Sequence, residues 1–211
     1  MTEIKICGLS EPATLDAAVA AGADHVGFVF FAASPRHVEV ERAAALAARV
    51  PDRVGRVGVF VDADDALIEP AVRAGRLTAV QLHGADPARA AAVKARFGID
   101  VWAAVAVATR RDVEAAAAFR GAADRLLFDA KAPKGASLPG GNALRFDWRL
   151  LDGVAMSMAW GLAGGLDAGN VAEAVGATGA PLVDVSSGVE DAPGVKSADR
   201  IRAFVKAVRE R

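Results

Sequence analysis

The chain has 211 residues, 53% of them hydrophobic and 24% charged, with 25 Lys and Arg against 26 Asp and Glu for a formal net charge of −1. That length suits one domain burying roughly 70% of the surface its unfolded form exposes and is short for two, so residues 1–211 are expected to form a single domain. The composition excludes a disordered or polyelectrolyte chain, and the near-zero charge excludes a general field for nucleic acid or an anionic membrane; any anion must be captured locally.

Cys7 is the only cysteine, which rules out an internal disulfide, and MTEIKICG lacks the basic-then-apolar layout of a secretion signal. A cytoplasmic setting is expected. Apolar runs such as Val26 to Ala33 fall far short of the roughly 20 residues that cross a bilayer, so no membrane span is expected.

Short β-branched runs alternate with Ala-, Glu- and Arg-rich stretches of helical period along the whole chain. The pattern predicts strands at 3–7, 25–30, 54–61, 79–82, 101–107, 125–128, 156–162 and 182–185. It predicts helices at 11–21, 39–50, 64–74, 87–97, 112–119, from 172, and at 197–209. The connection from Asp129 to Phe146 carries Pro133, Gly135, Pro139, Gly140 and Gly141 and is too long for an idle turn, which makes it a candidate lid. Eight units of about 26 residues are close to the shortest repeat that closes a (β/α)8 TIM barrel, and the strands are apolar on both faces as that fold requires. The rival, a doubly wound open sheet, calls for a Gly-rich first turn, whereas this one reads CGLSEPAT.

Barrel active sites lie at the C-terminal ends of the strands, which reduces the candidates to a short set. Gly164 and Gly165 after strand seven, with Ser186, Ser187 and Gly188 after strand eight, occupy the loops that commonly hold phosphate. A single glycine pair reads equally as a turn; glycine-rich turns after both of the last strands point to phosphate. Cys7 fits two descriptions, a buried filler or a base whose thiolate needs a nearby cation such as Lys5. Asp129 closes the run LLFD, where apolar neighbours favour the protonated form and hence a general acid; a helix cap or an ion pair with Lys131 or Lys134 is the alternative. Strands one and six lie three steps apart around an eight-membered ring, so Cys7 and Asp129 can face each other across the mouth as base and acid. Arg36 suits a solvated loop or a carboxylate clamp. Gln81, Asp184 and His83 complete the strand-end candidates for substrate contact, with His83 structural or orienting rather than catalytic. The three histidines show no ligand spacing, so no metal is expected.

These residues fall into KICGLS at 5–10, GFVF and SPR at 27–36, RVGVFV at 56–61, VQLHG at 80–84, LLFDAK, GGNALRFDW, AGGL and VDVSSGVEDAPGVK. Over essentially its whole length the chain resembles the phosphoribosylanthranilate isomerase family of tryptophan biosynthesis. The resemblance implies a cofactor-free Amadori rearrangement of N-(5′-phosphoribosyl)anthranilate to 1-(2-carboxyphenylamino)-1-deoxyribulose 5-phosphate. It also implies roles: Asp129 as acid on the furanose oxygen, Cys7 as base on carbon 2, Arg36 for the anthranilate carboxylate, Asp184 for sugar hydroxyls, and the loops of Gly165 and Ser186 to Gly188 for phosphate. Two departures stand out: Ala143 where the family often has glycine, and Ala163 where many members have serine. The histidine-pathway isomerase would need aspartates at strands one and five, and indole-glycerol-phosphate synthase a lysine and glutamate at strand ends; neither pattern fits. A non-catalytic phosphosugar-binding barrel is the reading of a different class, and the presence of both proton-transfer groups argues against it. The partner is then a small phosphorylated molecule, with no nucleic acid or membrane, and the chain is expected to be a monomer, with a homodimer as the alternative.

Overall fold

The computed structural model describes residues 1–133, 135, 138, 140, 141 and 143–210. Lys134, named above as an ion-pair partner, and Pro139 of the expected lid lie outside the described residues.

Strands β1 (Glu3–Cys7), β2 (His25–Phe30), β3 (Gly55–Val61), β4 (Ala79–His83), β5 (Asp100–Val107), β6 (Arg125–Ala130), β7 (Ala159–Leu162) and β8 (Leu182–Val185) form one closed barrel in sequence order. Every neighbouring pair is parallel, and β1 closes the ring by pairing Lys5 with His25 of β2 on one side and with Asp184 of β8 on the other. Helices α1 (Pro12–Ala21), α2 (Val40–Ala47), α3 (Asp65–Ala74), α4 (Pro87–Phe97), α5 (Arg110–Ala115), α6 (Val171–Thr178) and α7 (Ala198–Arg209) fill the crossovers, except between β6 and β7, where a 3-10 turn at Trp148–Leu151 stands instead.

Side chains alternate between the helix-facing and the inner surface of each strand. Ile4, Ile6, Phe28 and Phe128 join Leu15, Leu46, Ile68 and Phe204 from the helices in the large core between sheet and helices. Val57, Ala79, Trp102, Leu127, Ala163 and Leu182 form a separate apolar cluster, and Cys7 packs with Val29 and Val59 in a third. The apolar cluster includes Leu127 and Leu182, whose period-two partners Asp129 and Asp184 are polar. The inward positions thus change from apolar to polar toward the strands' C-terminal ends.

Several element ends differ from expectation for identifiable reasons. Helix α2 stops at Ala47 because Pro51 follows closely and the chain turns through Val50, whose N–H bonds to Ala47 O. Helix α5 starts before residue 112 because Asp112 Oδ2 accepts the N–H of Thr109, a capping arrangement that T-R-R-D encodes. Its last expected residues, Ala116–Phe119, tighten to 3-10. Strand β7 begins only at Ala159, where pairing with Arg125 starts; Met156 and Met158 pack against the core from the preceding connection.

Candidate active site

At the barrel mouth a cavity open to solvent is lined by residues from both halves of the ring. Cys7, Arg36, Gln81, His83, Asp129, Asp184, Gly164, Gly165, Ser186 and Ser187 all line it. Gly188 does not: it sits in the 3-10 turn Ser187–Val189, and a Cβ there would collide with Leu166 O. The β6–β7 connection covers the cavity through Leu138, Gly140, Gly141 and Leu144. A Cβ on Gly140 would lie 2.6 Å from Asp129 Oδ2. Glycine there lets the connection rest directly on the carboxyl group.

Lys5 and Cys7 share the inner face of β1 by period two. They converge beside Gly27, where a Cβ would come within 3.0 Å of Cys7 Sγ and 3.3 Å of Lys5 Cε. Lys5, fully buried, donates to Asp184 Oδ2 at 2.9 Å. Burial pulls the ammonium toward neutrality, but Asp184 and Cys7 outweigh it, so Lys5 stays charged above its ordinary value. Burial pushes the Cys7 thiol up; Lys5 pulls it back, Asp184 pushes it up again and Lys196 pulls it down, leaving it above the ordinary thiol value. Lys5 is thus the cation near Cys7, yet it does not overcome burial.

Asp129 Oδ1 accepts the N–H of Ala130 at 2.8 Å. Burial, then the charge of Asp184, pushes its carboxyl up to about 7 against the pull of Ala130 N–H and Lys5. Near neutrality a large share of Asp129 is therefore protonated, as a proton donor must be. Burial, then Lys5, pulls His83 down to about 4, so its ring is neutral. Gln81 Nε2 lies 3.0 Å from His83 Nε2, which puts the ring proton on Nδ1 when the amide donates. Asp184 Oδ1 and Gln81 Oε1 are buried acceptors with no partner among the described residues. Unfilled acceptors at a cavity call for a ligand rich in hydroxyl donors.

The turn after β7 runs through Gly164 at φ 89° and Gly165 at φ 60°, left-handed conformations that favour glycine. No acceptor among the described residues takes either N–H. Both are free for an anion.

Two charged residues that the sequence reading did not single out complete the site. Glu190, on β9 (Glu190–Ala192), accepts from Arg36 Nε at 2.7 Å and Nη2 at 2.8 Å. Lys196, on the antiparallel partner β10 (Val195–Lys196), donates to Glu190 Oε1 at 2.6 Å and to the Ser186 carbonyl at 3.0 Å. Burial raises the Glu190 carboxyl, but Arg36 and Lys196 together hold it below the usual carboxylate range. The visible signal was the stretch EDAPGVK, a turn sequence flanked by opposite charges.

The family model described as N-(5′-phosphoribosyl)anthranilate (PRA) isomerase matches residues 4–207. The chain belongs to this family. An N-(5′-phosphoribosyl)anthranilate isomerase of Paracoccus denitrificans is 57% identical over 203 residues, covering 96% of this chain and 94% of the relative. One of Rhodospirillum centenum is 56% identical over 205 residues, covering 96% of each. Among solved structures, the phosphoribosylanthranilate isomerase of Thermotoga maritima superposes with a TM-score of 0.89 at 36% identity over 100% of both chains. A phosphoribosylanthranilate isomerase in complex with reduced 1-(o-carboxyphenylamino)-1-deoxyribulose 5-phosphate superposes at 0.84 with 35% identity, again over 100% of both. Membership makes this chain an isomerase of tryptophan biosynthesis on a TIM barrel. Among the described residues no helix is long and apolar enough to cross a membrane.

Proposed function

We propose that the chain catalyses the Amadori rearrangement of N-(5′-phosphoribosyl)anthranilate, with Asp129 as general acid and Cys7 as general base. The observation that carries the reading is one cavity lined by a carboxyl group titrating at about 7 and by the chain's one thiol. The protonated Asp129 gives its proton to the furanose oxygen as the bond from carbon 1 to that oxygen breaks, and the anthranilate nitrogen supplies the electron pair of the resulting iminium. The Cys7 thiolate then takes the carbon 2 proton; the released pair forms the carbon 1–carbon 2 double bond and the iminium pair returns to nitrogen. The enolamine tautomerises to the ketone. No net proton or electron is consumed, so the route calls on no redox cofactor.

The N–H groups of Gly164 and Gly165, with Ser186 and Ser187 on the neighbouring loop after β8, form the proposed phosphate cradle; Gly188, which lies off the cavity, is left out of it. Asp184 Oδ1 and Gln81 Oε1 are the proposed acceptors for sugar hydroxyls, His83 the orienting neutral ring, and Arg36 the clamp on the anthranilate carboxylate. All these residues come from one chain, which we treat as a single catalytic domain working as a monomer in the cytoplasm. The decisive experiment is to add freshly formed N-(5′-phosphoribosyl)anthranilate and follow its fluorescence. A fast, enzyme-dependent decay is expected, whereas decay at the spontaneous rate would reject the assignment.

A further inference from the structure

We propose that Glu190 is a positioning residue: its carboxylate, fixed by Lys196, holds the Arg36 guanidinium in one orientation that presents Nη1 to the substrate carboxylate. The proposal rests on the reaction assigned above.

A guanidinium has five N–H donors in a rigid fork. Here Nε and one edge of Nη2 are taken by the two Glu190 oxygens, and Nη2 also reaches Gly141 O at 3.3 Å. Among the described residues nothing accepts from Nη1. Gly141 stands over that atom, where a Cβ would lie 2.8 Å away, so only glycine leaves it uncovered. The side chains of Arg36 and Glu190 are 6% and 4% exposed, and Arg36 lines the cavity. An arginine so buried and so bound has surrendered its rotamer freedom before the substrate arrives, which removes that cost from binding.

The connections of the cluster point the same way. Burial draws the Lys196 ammonium below its ordinary value while Glu190 pulls it back, so Glu190 is shared between Arg36 and Lys196. Lys196 also grips the carbonyl and hydroxyl of Ser186 at 3.0 and 3.2 Å, beside the proposed phosphate cradle. Glu190 is therefore tied, through a lysine that is 1% exposed, to the loop at the substrate's other end.

The test is a double-mutant cycle of Glu190→Gln and Arg36→Ala, reading KM and kcat separately with N-(5′-phosphoribosyl)anthranilate and checking each variant's fold by circular dichroism. Glu190→Gln is expected to raise KM about tenfold with kcat changed less than about threefold. In the Arg36→Ala background the same substitution should raise KM less than about twofold, because its effect runs through Arg36. Should Glu190→Gln fail to fold, Glu190→Asp carries the same cycle: it keeps the charge but shortens the reach. An unchanged KM, or an equal penalty with and without Arg36, overturns the proposal while leaving the reaction intact. A wild type that does not turn the substrate over sinks the reaction assignment itself.

Discussion

Lys5 and Asp184 form an ion pair with both side chains buried, Nζ to Oδ2 2.9 Å, across the seam where β1 pairs with β8. The pair explains two features of the site at once. The charge of Asp184 helps keep the neighbouring Asp129 carboxyl protonated, while Lys5 stays charged beside a thiol that must shed its proton.

Removing one member of such a pair strands the other in a poorly solvated site. Lys5→Met is predicted to destabilise the fold by about 3–5 kcal/mol, the usual cost of an uncompensated buried charge. Urea unfolding at neutral pH reads this directly; a loss under about 1 kcal/mol would mean Asp184 finds water or another donor.

The two proton-transfer roles make a kinetic prediction. Cys7→Ala and Asp129→Asn are each expected to lower kcat by at least about a hundredfold, the scale of lost acid or base catalysis, with folding unchanged. Near-wild-type turnover in either variant removes that residue from the mechanism.

Ala143 occupies φ 56°, a left-handed conformation that costs a residue with a Cβ about 1–2 kcal/mol. Ala143→Gly is predicted to leave thermal stability unchanged or raised, because the relieved strain meets or exceeds the entropy that glycine adds to the unfolded chain. Ala143→Val should lose more than about 1 kcal/mol, since a β-branched side chain tolerates this region less well. Equal melting temperatures for all three would show that the turn rearranges freely.

Much of the architecture was legible because its causes are local. Apolar runs of strand length recur with amphipathic stretches between them, and the bounds of β1, β2, β8 and α4 coincide with the expected ones. The strand-end rule then put nearly every candidate around one cavity, Gly188 excepted. What stayed hidden depends on partners distant in sequence. Arg36 meets Glu190 across 154 positions and Lys5 meets Asp184 across 179, and no periodicity reports such pairings. For the same reason the thiol's direction of shift was unreadable: Lys5 was visible as a nearby cation, but its commitment to Asp184 and the depth of burial were not. The shortened β7 was missed because Met156 and Met158 are apolar enough for a strand yet have no paired neighbour there.

The pH dependence of kcat/KM tests the pairing of thiol and carboxyl most directly. The working form needs Cys7 ionised and Asp129 protonated, yet Asp129 titrates at about 7 and Cys7 above its ordinary value, so that form is a minority whose share peaks between the two. The wild type should therefore give a bell that rises through about 7 and falls again as pH passes the thiol's raised value, and Asp129→Asn should lose the falling limb and rise only through the thiol's titration. A wild-type profile flat across this range, or an Asp129→Asn variant that keeps the full bell, would contradict the account.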